Sequence, residues 1–280
     1  MNSQNVDKLI QNCYNFNNIN SALLIEDLFQ LMNVADQKSL NAIYNVLTSH
    51  PCELVRHEAA FTLGEVASEE AAQKLRESYS VDPSLVVKHE CLMSLGTIGD
   101  KSDIEFIFPE TQNPKFEIQC SAKIAIDRIK QQHEFSADDN FETLKNLVLD
   151  DTNTSQNDRI QILFQLMNMK TSQAKQLVFE VLKKDKCRIV RHEAAFVLGE
   201  IGDQESIQYL KTILETEKTP IVVHETLFAL GTTGNRDLIP FLRKFENSTE
   251  YVISESAKIA IDRIQLIKSP YSGLKYFSEK

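Results

Sequence analysis

Apolar residues recur at three- and four-residue spacing along almost the whole chain, in segments of 10 to 16 residues broken by Gly, Pro and Asp. That period predicts helices rather than strands. The segments fall in pairs near 5–32, 37–66, 69–98 and 101–130, and again near 140–165, 172–201, 204–233 and 236–265, giving eight helical hairpins. In the segment 55–66, Val55, Ala59, Leu63 and Val66 share one face and predict a buried stripe. Leu-Gly-x-x-Gly patterns predict helix ends, with Gly99, Gly202 and Gly234 placed where a left-handed cap is wanted. Pro51, Pro83, Pro114 and Pro220 each stand just before the second helix of a pair, where a missing N–H costs little.

The hairpins repeat. Arg56-His57-Glu58-Ala59-Ala60-Phe61-Thr62-Leu63-Gly64-Glu65 returns 135 residues on, at Arg191 to Glu200, with Val197 in place of Thr62. Leu28 to Met32 returns at Leu163 to Met167, and Ser121 to Ile129 returns at Ser256 to Ile264, all at the same offset. Between these islands the halves diverge, as in 101–116 against 236–251, so some constraint holds the islands alike. Within each half a looser copy of the His-Glu stretch follows 32 residues later, at His89-Glu90 and His224-Glu225. A two-helix unit of this length cannot bury its own apolar face and must stack on its neighbours. The expected fold is therefore all-α, an α-solenoid of two four-hairpin halves related by internal duplication. With no tryptophan and no Thr-Pro-Leu-His, the tetratricopeptide and ankyrin signatures are missing, which leaves short HEAT-type hairpins. The expected boundaries are an N-terminal half 1–130, a polar linker 131–140, a C-terminal half 141–265 and a tail 266–280.

Composition narrows the classes further. Eight glycines and seven prolines in 280 residues are too few for the many turns of a β-sandwich. A net charge of -10 opposes nucleic acid and anionic lipid and favours a cationic ligand or basic partner. Cys13, Cys52, Cys91, Cys120 and Cys187 are scattered and odd in number, which frames neither a disulfide scaffold nor a zinc knuckle and suits a reducing cytoplasm. Cys52 and Cys187 share the repeat offset and are expected to be small buried hydrophobes. The first residues carry no basic flank or apolar run of the secretory kind, and no stretch approaches the length of a membrane span. A soluble, cytoplasmic protein is expected.

One His-Glu pair at the start of a helix is ordinary, because an acid there complements the helix dipole. Four in one register are not. Acidic residues are 40 of 280, so composition predicts about one His-acid pair among six histidines, whereas five occur. Neighbouring second helices lie side by side, so His57 with His89, and His192 with His224, can converge. Two histidines and one carboxylate per half make the ligand set that suits non-haem iron with open positions. If the halves face each other, the two sites form one dinuclear centre. A zinc protease is disfavoured, because Phe61, Met93, Phe196 and Phe228 occupy the positions four after each histidine. His133-Glu134 falls in the linker and reads as a solvated pair. The copies Ser121–Ile129 and Ser256–Ile264 occupy the helix that should carry a third His-Glu and lack it; they read as tightly packed end repeats, with no ligand role expected.

Eight HEAT-type hairpins in two halves, with the eight residues His57, Glu58, His89, Glu90, His192, Glu193, His224 and Glu225, resemble the deoxyhypusine hydroxylase family over nearly the whole chain. The chain departs from that family in a short linker and in carrying Arg-His-Glu-Ala-Ala in the first motif of each half. The resemblance implies a di-iron monooxygenase that uses O2 to hydroxylate the deoxyhypusine side chain of a translation initiation factor. It further implies His57, His89 and Glu58 on one iron and His192, His224 and Glu193 on the other. Glu90 and Glu225 would then stand nearer the substrate, as groups for its ammonium centres. The rival readings are a di-iron oxygenase with another substrate and a non-catalytic HEAT-type scaffold that binds a basic partner.

Overall fold

The computed structural model describes residues 3–131 and 140–266. The described residues are helical throughout, in two compact units, Met1–Glu134 and Phe135–Lys280. Most of the expected linker, His133-Glu134 included, and the tail beyond Leu266 lie outside the described residues. In the first unit the helices are α1 (Ser3–Tyr14), α2 (Ser21–Met32), α3 (Gln37–Ser49), α4 (Glu53–Val66), α5 (Glu69–Val81), α6 (Leu85–Ile98), α7 (Asp103–Ile107) and α8 (Phe116–Lys130). In the second they are α9 (Phe141–Leu149), α10 (Gln156–Met169), α11 (Ser172–Lys184), α12 (Arg188–Ile201), α13 (Gln204–Thr216), α14 (Pro220–Thr232), α15 (Ile239–Leu242) and α16 (Tyr251–Leu266).

Each unit is a two-layer stack. In the first, α2, α4, α6 and α8 pack successively as an inner row, and α1, α3 and α5 form the outer row. The second repeats this with α10, α12, α14 and α16 inside and α9, α11 and α13 outside. Local chemistry starts the outer helices: Asp36, Ser68, Thr171 and Asp203 each accept a backbone N–H from the first turn of α3, α5, α11 and α13. The left-handed caps expected at Gly99 and Gly202 are present, with φ of 77° and 60°, and Gly234 also has φ of 63°. The outer helix of the last hairpin in each unit is shorter than the pattern suggested. Near Pro109 and Pro240 it is reduced to α7, which passes into a 3-10 turn, and to α15, which opens on Pro240 with a 3-10 turn on either side.

The buried stripe expected on 55–66 is too narrow a description. Val55, Ala59 and Leu63 are buried and Val66 is half-buried, while Leu54, His57, Glu58, Ala60, Thr62 and Gly64 are buried too. An inner helix has a neighbour on each side and its own outer helix behind it, so little of its circumference meets water. The glycines of the Leu-Gly pairs, Gly64, Gly96, Gly199 and Gly231, sit in the last turn of their helices, just before the ends that the pattern predicts. Each marks a close crossing: a Cβ on Gly96 would lie 2.7 Å from Ala125 Cα, and one on Gly231 2.9 Å from Ala260 Cα.

At three of the steps between repeats, an arginine in the first turn of an inner helix clips one repeat to the next. Arg56 reaches Asp82, Arg159 reaches Asp185 and Arg191 reaches Glu217, at 2.7, 2.7 and 2.9 Å. The same carboxylates accept the backbone N–H groups of Ser84, Cys187 and Thr219, so one side chain shapes the turn and joins two repeats. All five cysteines are buried and none is in a disulfide, with Cys52 and Cys187 standing at the N-termini of α4 and α12.

Candidate metal centre

The inner row brings the His-Glu pairs of each unit together. His57 and Glu58 lie in the second turn of α4, His89 and Glu90 in the second turn of α6, and all four are at most 7% exposed. The imidazoles of His57 and His89 stack with centroids 6.2 Å apart and planes 22° from parallel. Glu90 Oε2 lies 3.4 Å from His57 Nε2 and 3.9 Å from His89 Nε2, so both Nε2 atoms face one carboxylate oxygen. The other oxygen, Oε1, is held by the Ser94 hydroxyl at 3.0 Å. Glu58 takes a different place, with Oε1 3.0 Å from His57 Nδ1 on the far side of the ring.

The second unit repeats the arrangement around its first histidine. His192 and His224 have centroids 6.5 Å apart, Glu225 Oε2 is 3.4 Å from His192 Nε2, and Glu193 Oε1 is 3.3 Å from His192 Nδ1. Ala229 stands where the first unit has Ser94. Phe228, one turn beyond His224, packs on its ring at 4.4 Å and walls that side with hydrocarbon.

This donor set fits a divalent cation. Two imidazole nitrogens and a carboxylate oxygen converge in a buried pocket, which is the chemistry of a transition-metal site with open positions. The electrostatics agree. Burial alone would lower the His57 imidazole, but its hydrogen bonds to Glu58 and Glu90, with their charges, push it up to about 10. The pocket therefore favours positive charge. Among the described residues, His57, His89, His192 and His224, with Glu58, fall in groups whose ligand atoms could hold a metal ion.

Glu58 and Glu193, expected on the metal, lie against Nδ1 of His57 and His192, and Glu90 and Glu225, expected nearer the substrate, lie against Nε2 of the same two rings. Three residues escaped sequence reasoning. Ser94 steadies Glu90, and Ser121 and Ser256 contact the second histidine of each unit. The signal that could have found the last two is their spacing, 32 residues beyond His89 and His224.

Stacked helical hairpins carrying buried His-His-carboxylate clusters define a helical-repeat protein with metal-binding capacity. The HEAT repeats family model matches residues 28–96 and 141–227, and the chain belongs to that family. Over 203 residues the chain is 29% identical to the deoxyhypusine hydroxylase of Drosophila pseudoobscura pseudoobscura, a match spanning 66% of this chain and 66% of that relative's length. In fold it is similar to human deoxyhypusine hydroxylase, solved in complex with glycerol, with a TM-score of 0.82 and 23% identity, covering 94% of this chain and 97% of that one. Among the described residues no helix is long and apolar enough to cross a membrane.

Proposed function

We propose that the protein is an iron-dependent monooxygenase that hydroxylates the deoxyhypusine side chain of a translation initiation factor, with O2 as co-substrate. One iron is held in each unit. The observation that carries this reading is the meeting of two Nε2 atoms and one carboxylate oxygen in the first unit, echoed by the contact of His192 Nε2 with Glu225 in the second, in a chain whose curated relative is a deoxyhypusine hydroxylase. Bound iron supplies the one-electron and O2 chemistry that no amino-acid side chain offers. The protein's own residues bind, orient and exclude water. His57, His89 and Glu90 form the ligand set of the first unit, and His192, His224 and Glu225 that of the second. Glu58 and Glu193 each accept a proton-bearing Nδ1 and fix the ring of the first histidine, as carboxylates behind metal-bound imidazoles do. The acidic chain as a whole steers a cationic substrate on a basic partner toward the site.

The alternative division, with Glu58 and Glu193 on the metal and Glu90 and Glu225 on the substrate amine, is separated by iron stoichiometry. Glu90→Gln is expected to lose about one of two irons, while Glu58→Gln keeps both. The opposite result restores the alternative. Turnover is read on the deoxyhypusine-bearing factor. Iron present without hydroxylation there favours an oxygenase of another substrate, and a wild type that takes up no iron leaves a scaffold.

A further inference from the structure

The inner row places a column of residues at intervals of 32: His57, His89 and Ser121 in the first unit, His192, His224 and Ser256 in the second. The third member is never a histidine, and the acid that follows each histidine is replaced by Ala122 and Ala257. Ser121 and Ser256 are fully buried. Ser121 Oγ lies 2.8 Å from His89 Nδ1 and 2.8 Å from the carbonyl of Glu117, one turn earlier in α8. Ser256 Oγ lies 2.9 Å from His224 Nδ1 and 2.5 Å from the carbonyl of Val252. A serine hydroxyl has one proton. The carbonyl can only accept, so a hydroxyl that donates to it can only accept from the ring. In that arrangement Nδ1 carries the imidazole proton and the lone pair stands on Nε2, the nitrogen that in His89 faces Glu90.

We infer that Ser121 and Ser256 are positioning residues that fix the tautomer and ring angle of His89 and His224, so that Nε2 is presented as a metal donor. The first histidine of each unit has a carboxylate for this task, Glu58 or Glu193. The second uses a hydroxyl borrowed from the next helix. The end repeat thus carries an orienting group where the earlier repeats carry a ligand, which gives a reason for the near-identity of Ser121–Ile129 and Ser256–Ile264. Ala125 and Ala260, inside the same islands, lie where Gly96 and Gly231 allow the helices to approach closely enough for the bond.

The inference rests on His89 and His224 binding metal through Nε2, and its test is separable from that reading. In the metal-free wild type, ring 15N shifts report which nitrogen of neutral His89 and His224 holds the proton, and Nδ1 is expected. Ser121→Ala and Ser256→Ala should lose the single tautomer and bind Fe2+ roughly 10- to 100-fold more weakly at the affected unit. Ser121→Thr, which keeps the hydroxyl, should retain both properties. A proton on Nε2 in the wild type overturns the inference without need of any variant. So does a folded Ser121→Ala that keeps the tautomer and takes up Fe2+ as tightly as wild type. Should wild type bind no Fe2+ at all, the proposed function fails, and the ring shifts still decide whether the serines set the tautomer.

Discussion

Gly96→Ala tests whether glycine spaces the inner helices. The added Cβ would stand 2.7 Å from Ala125 Cα, 3.0 Å from Ala125 Cβ and 3.3 Å from Ala125 O. These are atoms of a buried helix and cannot rotate away. Carbon atoms pack at about 3.5 to 4.0 Å, so α6 and α8 must part by roughly 1 Å at this crossing. Overpacking of this kind costs about 1–3 kcal/mol, and the gain from replacing a mid-helix glycine by alanine returns at most about 1 kcal/mol. A net loss of about 1–2 kcal/mol follows, which lowers the melting temperature by roughly 3–8 °C for a unit of this size. The same interface carries the His89–Ser121 bond of 2.8 Å, two turns away along α6. Parting the helices by the full amount, about 1 Å, would stretch the bond past useful length and loosen the ring.

The assay is a thermal melt of the metal-free protein by circular dichroism, paired with Fe2+ titration. Gly96→Ala is expected to melt lower and to bind metal more weakly in the first unit, and Gly231→Ala to do the same in the second, where the added Cβ would meet Ala260 Cα at 2.9 Å. A variant that melts higher than wild type and binds Fe2+ unchanged would refute the reasoning. Helix propensity would then have outweighed any crowding, and the crossing distance would owe nothing to glycine.

Two further predictions concern stability alone. Ala67 caps α4 in the left-handed region at φ 52°, where the equivalent cap of α12 is Gly202 at φ 60°; Ala67→Gly should raise stability by about 1 kcal/mol in a denaturant titration, and a loss would mean the strain is not there. The second is a pH effect. Burial, with the charge of Glu225, outweighs Arg263 and pushes the Glu200 carboxyl up to about 7 from 4.5. The folded state then holds this proton more tightly than the unfolded one. Stability is full below pH 4.5 and falls as pH rises toward about 7, by an amount on the order of 2 kcal/mol once partial exposure is allowed for. Glu200→Gln should flatten that fall in urea melts of the metal-free protein, and an unchanged slope would assign it to other groups.

Helix boundaries were legible because glycine, proline and the capping residues act locally. Asp36, Ser68 and Gly202 do in the structure what their types do in any helix. The broken outer helices of the last hairpins were missed, although Pro109 and Pro240 stood in plain view, because the apolar spacing around them still reads as helical. The convergence of His57 with His89 was legible from register, since stacking neighbours at a fixed period brings equal positions side by side. The directions of the glutamate side chains were not. Glu58 and Glu90 have the same sequence context, and only side-chain direction separates them: one turns back on its own histidine, the other reaches the histidine of the preceding helix.

The same register explains why each unit offers two imidazoles when its inner row has four helices. The column runs Ile25, His57, His89, Ser121 in the first unit and Ile160, His192, His224, Ser256 in the second. A third histidine at 121 would add a ligand but would leave His89 without a fixed partner for Nδ1, and a buried ring nitrogen without one is costly. At the other end, Ile25 and Ile160 are each 1% exposed and place hydrocarbon where another polar group would need its own partner. A repeat array that hosts a metal must therefore differ at its ends from its middle. The residues before and after the histidines in this column are where that difference is written, and the copying of Ser121 at Ser256 keeps a hydroxyl against Nδ1 of the second histidine in both units.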